Sequence, residues 1–471
     1  MTRKQGERMS TIKGDCLDIL KTIQSNSIDS MVTDPPAGIS FMNKDWDDDK
    51  GGRKQWISWL TEVMLECKRV LKPGGHALVW ALPRTSHWTA TALEDAGFEV
   101  RDVINHIFGS GFPKSNNISK SIDKLKGCKR EQYINPKWKD KYPNGPGGGG
   151  SGNIKQLNKN ILRNTLLTSN PSSSEAKQYN GWGSALKPAT EHWILVRKPL
   201  EEPTIAKNVL KYGTGGINID KCRVQGLSNK ELNHTPQRQQ ADESLNGWTG
   251  NVAKKGSVIQ MHKDTGRFPA NVILDDSDCV RKGFPNSKSS VFNNNSGVTN
   301  GFHDCLGRQS KKNRTDIGGY NDSGSASRFF YCAKVSKAER NLGCEELEEK
   351  KYKTNFDGTG GKIGSLEKRI KEGLTREIKE FYDKCMSKNS HPTVKPQSLM
   401  RYLITLITPP KGIVLDPFMG SGSTGVASYN LGNEFIGIEQ NEEYYIIGNK
   451  RINYAVNGQS EEVGNKFKWL S

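Results

Sequence analysis

Two short segments of this chain carry residue types whose spacing can do chemistry. The first is Thr33-Asp34-Pro35-Pro36-Ala37-Gly38-Ile39. A carboxylate followed by two prolines gives an anionic acceptor at Asp34 and a backbone carbonyl at Pro35, held rigid by Pro36. An aromatic amine is a poor nucleophile because its lone pair is delocalised into the ring. A fixed carboxylate and a fixed carbonyl can accept its two N–H bonds and favour a more tetrahedral nitrogen, able to attack an electrophilic carbon in line. The second segment is Val414-Leu415-Asp416-Pro417-Phe418-Met419-Gly420-Ser421-Gly422-Ser423-Thr424-Gly425. It reads as a strand, a glycine-rich turn and a helix start, where a nucleoside can lie across a sheet edge. Glu439 ends the next strand, where a carboxylate can accept hydrogen bonds from two ribose hydroxyls. Gly420, Gly422 and Gly425 also match G-x-G-x-x-G, which keeps a dinucleotide-dependent oxidoreductase in play.

The surrounding periodicities say what positions these segments. Ile28 to Thr33 reads as a strand ending on Asp34. Ile57, Leu60, Met64, Cys67 and Leu71 recur at steps of three and four, predicting a helix over Lys54 to Lys72 with one apolar face. Lys72-Pro73-Gly74-Gly75 is expected to end it. His76 to Leu82 follows as a strand, Thr85 to Ala96 as a helix and Phe98 to Phe108 as a strand. From Ser390 the alternation returns: helix over Pro396 to Ile407, strand over Ile413 to Asp416, helix over Ser423 to Leu431, strand over Phe435 to Glu439 and helix over Glu442 to Tyr454. Alternation of this kind predicts an α/β fold with a mostly parallel, Rossmann-like sheet. The stretch between loses the rhythm. It contains Pro143-Asn144-Gly145-Pro146 and four further glycines, with strand-like islands only at Glu191 to Val196 and Asn271 to Leu274. The expected organisation is a catalytic half over 1–108, a large irregular insert over 109–389 projecting as a second lobe, and a cofactor half over 390–471.

With both motifs placed, the chain resembles the amino-methylating DNA methyltransferases of the order in which the catalytic motif precedes the cofactor loop. Four segments carry the resemblance in sequence: Lys13-Gly14-Asp15-Cys16-Leu17, Asp34-Pro35-Pro36, His391-Pro392-Thr393-Val394-Lys395-Pro396, and Asp416 to Gly422 continued by Phe435 to Glu439. It implies S-adenosylmethionine as cofactor and the exocyclic amine of a DNA base as target, adenine N6 ahead of cytosine N4. Asp34, Pro35 and Pro36 would be catalytic. Asp15 and Cys16 would adjoin the cofactor's adenine, Lys395 its methionine carboxylate, and Asp416, Phe418, Gly420 and Gly422 its methionine moiety, with Glu439 on the ribose. The family places an aromatic residue after the second proline to stack on the extruded base; this chain has Ala37. Phe41 and Trp46 are candidates to replace it, against a reading in which Ala37 leaves a silent DNA-binding homologue. Cytosine-C5 chemistry is set aside, because it uses a cysteine nucleophile presented after proline and no Pro-Cys pair occurs.

Composition agrees with a nucleic-acid partner. The 471 residues carry a net charge of +18, which attracts a polyanion such as double-stranded DNA. The nine scattered cysteines form no C-x-x-C pair and read as free thiols in a reducing cytoplasm. No apolar run predicts a membrane span, and the N-terminus lacks the apolar core of a signal peptide. No metal site is expected, while a homodimer and a separate restriction endonuclease are possible partners. Within the insert, the segment Gly109 to Ser115 is expected to line the approach to the site. Trp182 and the run Ser327 to Tyr331 are candidate DNA contacts.

Overall fold

The computed structural model describes residues 8–40, 45–109, 111, 115–134, 167–224, 266–275, 277–288, 323–333, 338–348, 350–351 and 386–458. The chain divides into two compact units, one of residues 1–109 with 190–471 and one of residues 110–189.

In the larger unit the chain opens with β1 (Met9–Lys13), α1 (Cys16–Thr22), β2 (Ile28–Thr33), α2 (Arg53–Val70), β3 (Leu71–Ala81), α3 (Ser86–Asp95) and β4 (Glu99–Ile107). The smaller unit follows, with α4 (Ile118–Leu125), β5 (Gln132–Ile134), β6 (Leu167–Ser169) and α5 (Ser174–Gln178). The larger unit resumes with β7 (Thr190–Arg197), α6 (Ile205–Tyr212), β8 (Val272–Asp275), α7 (Asp278–Gly283), β9 (Asn286–Lys288), β10 (Ser323–Ser325), β11 (Tyr331–Ala333), β12 (Lys350–Lys351) and β13 (Met386–Ser387). It closes with α8 (Gln397–Ile407), β14 (Ile413–Asp416), α9 (Ser423–Asn430), β15 (Glu434–Glu439) and α10 (Glu442–Asn457).

Nine strands form one sheet in the order β1-β15-β14-β2-β3-β7-β4-β8-β11, all parallel to their neighbours except β7. Successive strand residues serve opposite faces. Met31, Ala77, Val79, Ile194, Val196, Leu415 and Ile436 pack with α2 and α3, whereas Val32, Leu78, Trp193, Leu195, Val414 and Phe435 pack with α8. Both faces are covered, which is why these strands read as near-continuous apolar runs rather than alternating ones. The stripe read on α2 is real: Trp56, Ile57, Leu60, Val63, Met64, Cys67 and Val70 are buried.

The α/β expectation is met, with two corrections. Lys72 to Gly75 does not form a stop after the helix. The helix gives way to β3 at Leu71, and the Pro-Gly-Gly segment lies inside that strand where its register against β2 shifts between Ile28 and Ser30. Gly74 takes φ +76 there, a conformation that suits a residue without a Cβ. The second correction concerns the insert expected over 109–389. β7, β8 and β11 all come from it and lie in the central sheet, so only residues 110–189 separate as a unit. β7 and β8 coincide with the two strand-like islands, but which sheet a strand joins is set by pairing between distant segments, and β11, three residues long, carries too little pattern to be read locally.

The smaller unit is organised around a buried carboxylate. Asp123 is 1% exposed and accepts bonds from Ser172 N, Ser173 N and Ser173 Oγ at 2.8–3.0 Å, with Arg130 at 3.1 Å. Trp182 in this unit is 61% exposed and meets Tyr179 edge-on at 5.4 Å. In the larger unit the run Ser327 to Tyr331 is mostly packing: Tyr331 stacks on Tyr402 at 4.1 Å and Phe330 meets Phe284 at 5.6 Å. Of the segment Gly109 to Ser115, residues 110 and 112–114 lie outside the described residues.

Candidate active site

In the larger unit the strand order reverses between β14 and β2. From β14 the chain moves outward through α9 to β15, and from β2 it moves the other way through α2 to β3. A crevice opens beyond the C-terminal strand ends at such a switch point. Asp34 follows β2, Asp416 ends β14, Glu439 ends β15 and Asp15 follows β1, so parallel pairing brings all four carboxylates to this one edge.

Asp34 is ion-paired. Lys395 Nζ lies 2.8 Å from Asp34 Oδ2, and the Lys395 side chain is 10% exposed. The same ammonium lies 4.4 Å from the centroid of the Trp80 ring. Burial pushes the Asp34 carboxyl above the usual carboxylate range, and the Lys395 ammonium opposes it. Burial works against the charge on Lys395, yet Asp34 and Glu191 together hold it above the ordinary lysine value. Glu191, the second residue of β7, is itself drawn down to about 2: burial opposes ionisation, but Lys395, His106 and the Trp80 indole N–H outweigh it. His106 faces it across the β4–β7 ladder, with Nδ1 3.8 Å from Glu191 Oε2.

The loop after Asp34 is pinned by a side chain the spacing did not reveal. Asp47, 1% exposed, accepts the backbone N–H groups of Ala37 at 2.5 Å and Gly38 at 3.0 Å through Oδ1. Thr85 Oγ1 donates to Ala37 O at 3.1 Å. Gly38 has φ +68, and a Cβ there would stand 2.7 Å from the Trp56 ring. Pro35 is buried and Pro36 half-buried.

The glycine-rich loop is a self-bonded turn. Asp416 is 2% exposed. Its Oδ1 accepts Thr33 Oγ1 at 2.7 Å and Phe418 N at 3.2 Å, and its Oδ2 accepts Thr424 Oγ1 at 2.6 Å. The carboxylate thus ties β2 to both ends of the loop. Glu439 Oε2 accepts Gly420 N at 2.8 Å and Oε1 accepts Asn441 N at 2.7 Å. Packing also explains the glycines. Gly420 (φ +52) would drive a Cβ to 2.7 Å from His391 Nε2, and Gly422 (φ +72) to 2.8 Å from Gly448 O. Phe418 packs against Trp59 at 5.9 Å.

The remaining expected residues fall as follows. Asp15 is the exposed N-cap of α1, bonded by Leu17 N at 2.9 Å and Asp18 N at 3.4 Å. Cys16 opens that helix 8% exposed, and burial, helped by the Asp15 charge, pushes its thiol up to about 12. Gly14 N donates to Glu439 O at 3.0 Å, so this segment does adjoin the ribose candidate. Lys395 is brought to Asp34. Trp46 sits in a small cluster with Cys344, Tyr444, Ile447 and Leu347, its ring edge-on to Tyr444 at 6.5 Å. Phe41 lies outside the described residues. Trp80 and Glu191 were missed because no local spacing marks a residue whose partner lies on another strand, and Asp47 because its partners are backbone N–H groups of its own loop, which no side-chain pattern marks.

The edge fits a nucleoside cofactor on its own geometry. Each Glu439 oxygen accepts one backbone N–H and keeps capacity for a second donor. Among the described residues no three His, Cys, Asp or Glu side chains could jointly hold a metal ion. No described helix is long and apolar enough to cross a membrane.

The profile of the N6/N4 family, described as DNA methylase, matches residues 28–450. The type II methyltransferase M2.LlaDCHI of Lactococcus lactis subsp. cremoris is 40% identical over 86 residues, 18% of this chain and 31% of that protein. The DNA adenine methyltransferase YhdJ of Escherichia coli K12 is 43% identical over 79 residues, 17% of this chain and 27% of that protein. The chain therefore spans under a third of the length of these curated relatives. Among solved structures, the M1.HpyAVI–SAM complex is 15% identical, covering 94% of this chain and 99% of that one at a TM-score of 0.34.

Proposed function

This chain belongs to the N6/N4 DNA methylase family, and from that membership we propose that it methylates the exocyclic amine of a base in double-stranded DNA, with adenine N6 as the target. The observation that carries the reading is Asp34 at the switch-point edge, beside the turn running from Asp416 to Gly422 and the Glu439 carboxylate. S-adenosylmethionine supplies a methyl group made electrophilic by its sulfonium. Glu439 would take the ribose hydroxyls, the segment around Asp15 and Cys16 would border the adenine, and the turn from Phe418 to Gly422 would hold the methionine end.

In this reading a base is extruded from the duplex, because its amine is out of reach inside the stack. Asp34 accepts one N–H and the Pro35 carbonyl the other, so the nitrogen lone pair turns toward the methyl carbon. As the N–C bond forms, the C–S bond breaks and its electron pair stays on sulfur, leaving S-adenosylhomocysteine. The nitrogen gives up one proton, with Asp34 as first acceptor, on to water. A carboxyl lifted by burial is better matched to that proton than an exposed one. The preference for adenine over cytosine N4 rests on the Asp at the head of the motif and on the adenine methyltransferase YhdJ among the relatives. The net charge of +18 supplies the attraction to the DNA backbone. A second copy of the chain or a separate endonuclease remains a proposed partner, and the cytoplasm the proposed compartment.

The test is methyl transfer from labelled S-adenosylmethionine to unmethylated bacterial DNA, followed by mass spectrometry of the nucleosides, with Asp34→Ala alongside. N6-methyladenine that disappears in the variant is the expected result. N4-methylcytosine would reverse the choice of base. DNA and cofactor binding without any methylated base would favour the silent DNA-binding homologue, with Ala37 as the lesion.

A further inference from the structure

We infer that Trp80 supplies the aromatic face that position 37 lacks, so that the target base stacks on Trp80 while its amino group meets Asp34. The inference rests on the methyl-transfer reading and deepens it. β2 and β3 run parallel with Thr33 opposite Val79. The next residues along, Asp34 just past β2 and Trp80 near the end of β3, therefore stand side by side, with Trp80 still paired to Trp193 of β7. Residues 73–79 of β3 are buried, but Trp80 is partly exposed. The decisive geometry is the position of one nitrogen: Lys395 Nζ lies 2.8 Å from Asp34 Oδ2 and 4.4 Å from the centroid of the Trp80 ring. A donor at that point is within hydrogen-bond distance of the carboxylate and in contact with the ring face at once. An amino group donating to Asp34 from there carries its flat heterocycle against the same indole. A cation and a base both bind favourably to an aromatic face, so the point that Lys395 Nζ marks suits an amine as well as an ammonium. Glu191, which already attracts Lys395, gives that ammonium an anion to turn to when the base arrives.

Other described tryptophans near the site are committed elsewhere. Trp46 packs on Tyr444, Trp59 on Phe418 and Trp56, and Trp193 is fully buried within the sheet.

The test uses the full chain, S-adenosylmethionine and duplex DNA containing the sequence mapped from its own methylated products. Trp80→Phe keeps an aromatic face and should stay within about threefold of wild type. Trp80→Leu should lose roughly 5- to 150-fold in kcat/KM for DNA, the range of one lost base–aromatic stack, with unchanged affinity for S-adenosylmethionine. A second readout isolates stacking from mere support of Lys395. With 2-aminopurine at the target position, extrusion brightens the probe and stacking on an indole quenches it, so the Trp80→Leu complex should be brighter than the wild-type complex. Wild-type kcat/KM in Trp80→Leu, or lost activity with unchanged probe brightness, overturns the inference. A wild-type protein that methylates no base removes the reading beneath it, and the inference falls with it.

Discussion

Replacing Asp416 by Asn separates a brace from a ligand. Asp416 is 2% exposed. Burial pushes its carboxyl up to about 6 from 3.8, against the pull of Thr424, Thr33 and the Phe418 N–H. The displacement of about two pK units corresponds to about 3 kcal/mol. The sign follows from the proton count. Below the unfolded value both states hold the proton and nothing is lost. As pH rises from about 4 toward about 6, the unfolded chain releases its proton while the folded chain keeps it, so stability falls; above that range the loss is complete. Asp416→Asn removes this titration and keeps an acceptor for Phe418 N and Thr33. The assay is the unfolding free energy of variant minus wild type across pH 4 to 7.5, a difference that cancels the titrating groups not coupled to Asp416, as Asp34 is. It should grow in favour of the variant by about 3 kcal/mol between about pH 4 and 7. If Asp416 acts as the brace between Thr33 and Thr424, affinity for S-adenosylmethionine should be nearly retained. A difference that stays flat with pH would refute the assignment of a buried, raised carboxyl. Loss of cofactor binding at full stability would make Asp416 a direct ligand.

Gly422→Ala should lower the melting temperature and weaken cofactor binding, because a side chain at φ +72 costs about 1–2 kcal/mol and its Cβ would press on Gly448 O at 2.8 Å; an unchanged melt would contradict the close packing of α9 on α10. Trp46→Ala should cost about 2–3 kcal/mol of stability through the emptied space beside Tyr444, while turnover below the melting range stays near wild type; a selective fall in kcat/KM for DNA would restore Trp46 as a base contact. Affinity for DNA should fall linearly on a log–log plot against salt, with a slope of about −0.9 per phosphate neutralised. A flat response would count against binding dominated by the backbone.

The sequence by itself determined the element order from β2 through β4 and from α8 through α10, the placement of Asp34, Asp416 and Glu439 at strand ends, and membership of the amino-methylating family. These are local or ordered properties: a helix stripe on α2, a strand that stops at prolines, a turn that needs positive φ at Gly420 and Gly422. Tertiary structure alone decided which side chains meet. Lys395 reaches Asp34 because β14 inserts beside β2, bringing the segment before α8 against the start of the chain. Glu191 joins the site because β7 enters the sheet antiparallel between β3 and β4, which turns the beginning of that strand, rather than its end, toward the crevice. The same register puts Trp80 next to Asp34 and leaves Trp46 to pack against α10. Spacing along a chain sets periodicity within one element, but sheet order and register between distant elements set the partner of each side chain, and no local pattern encodes them.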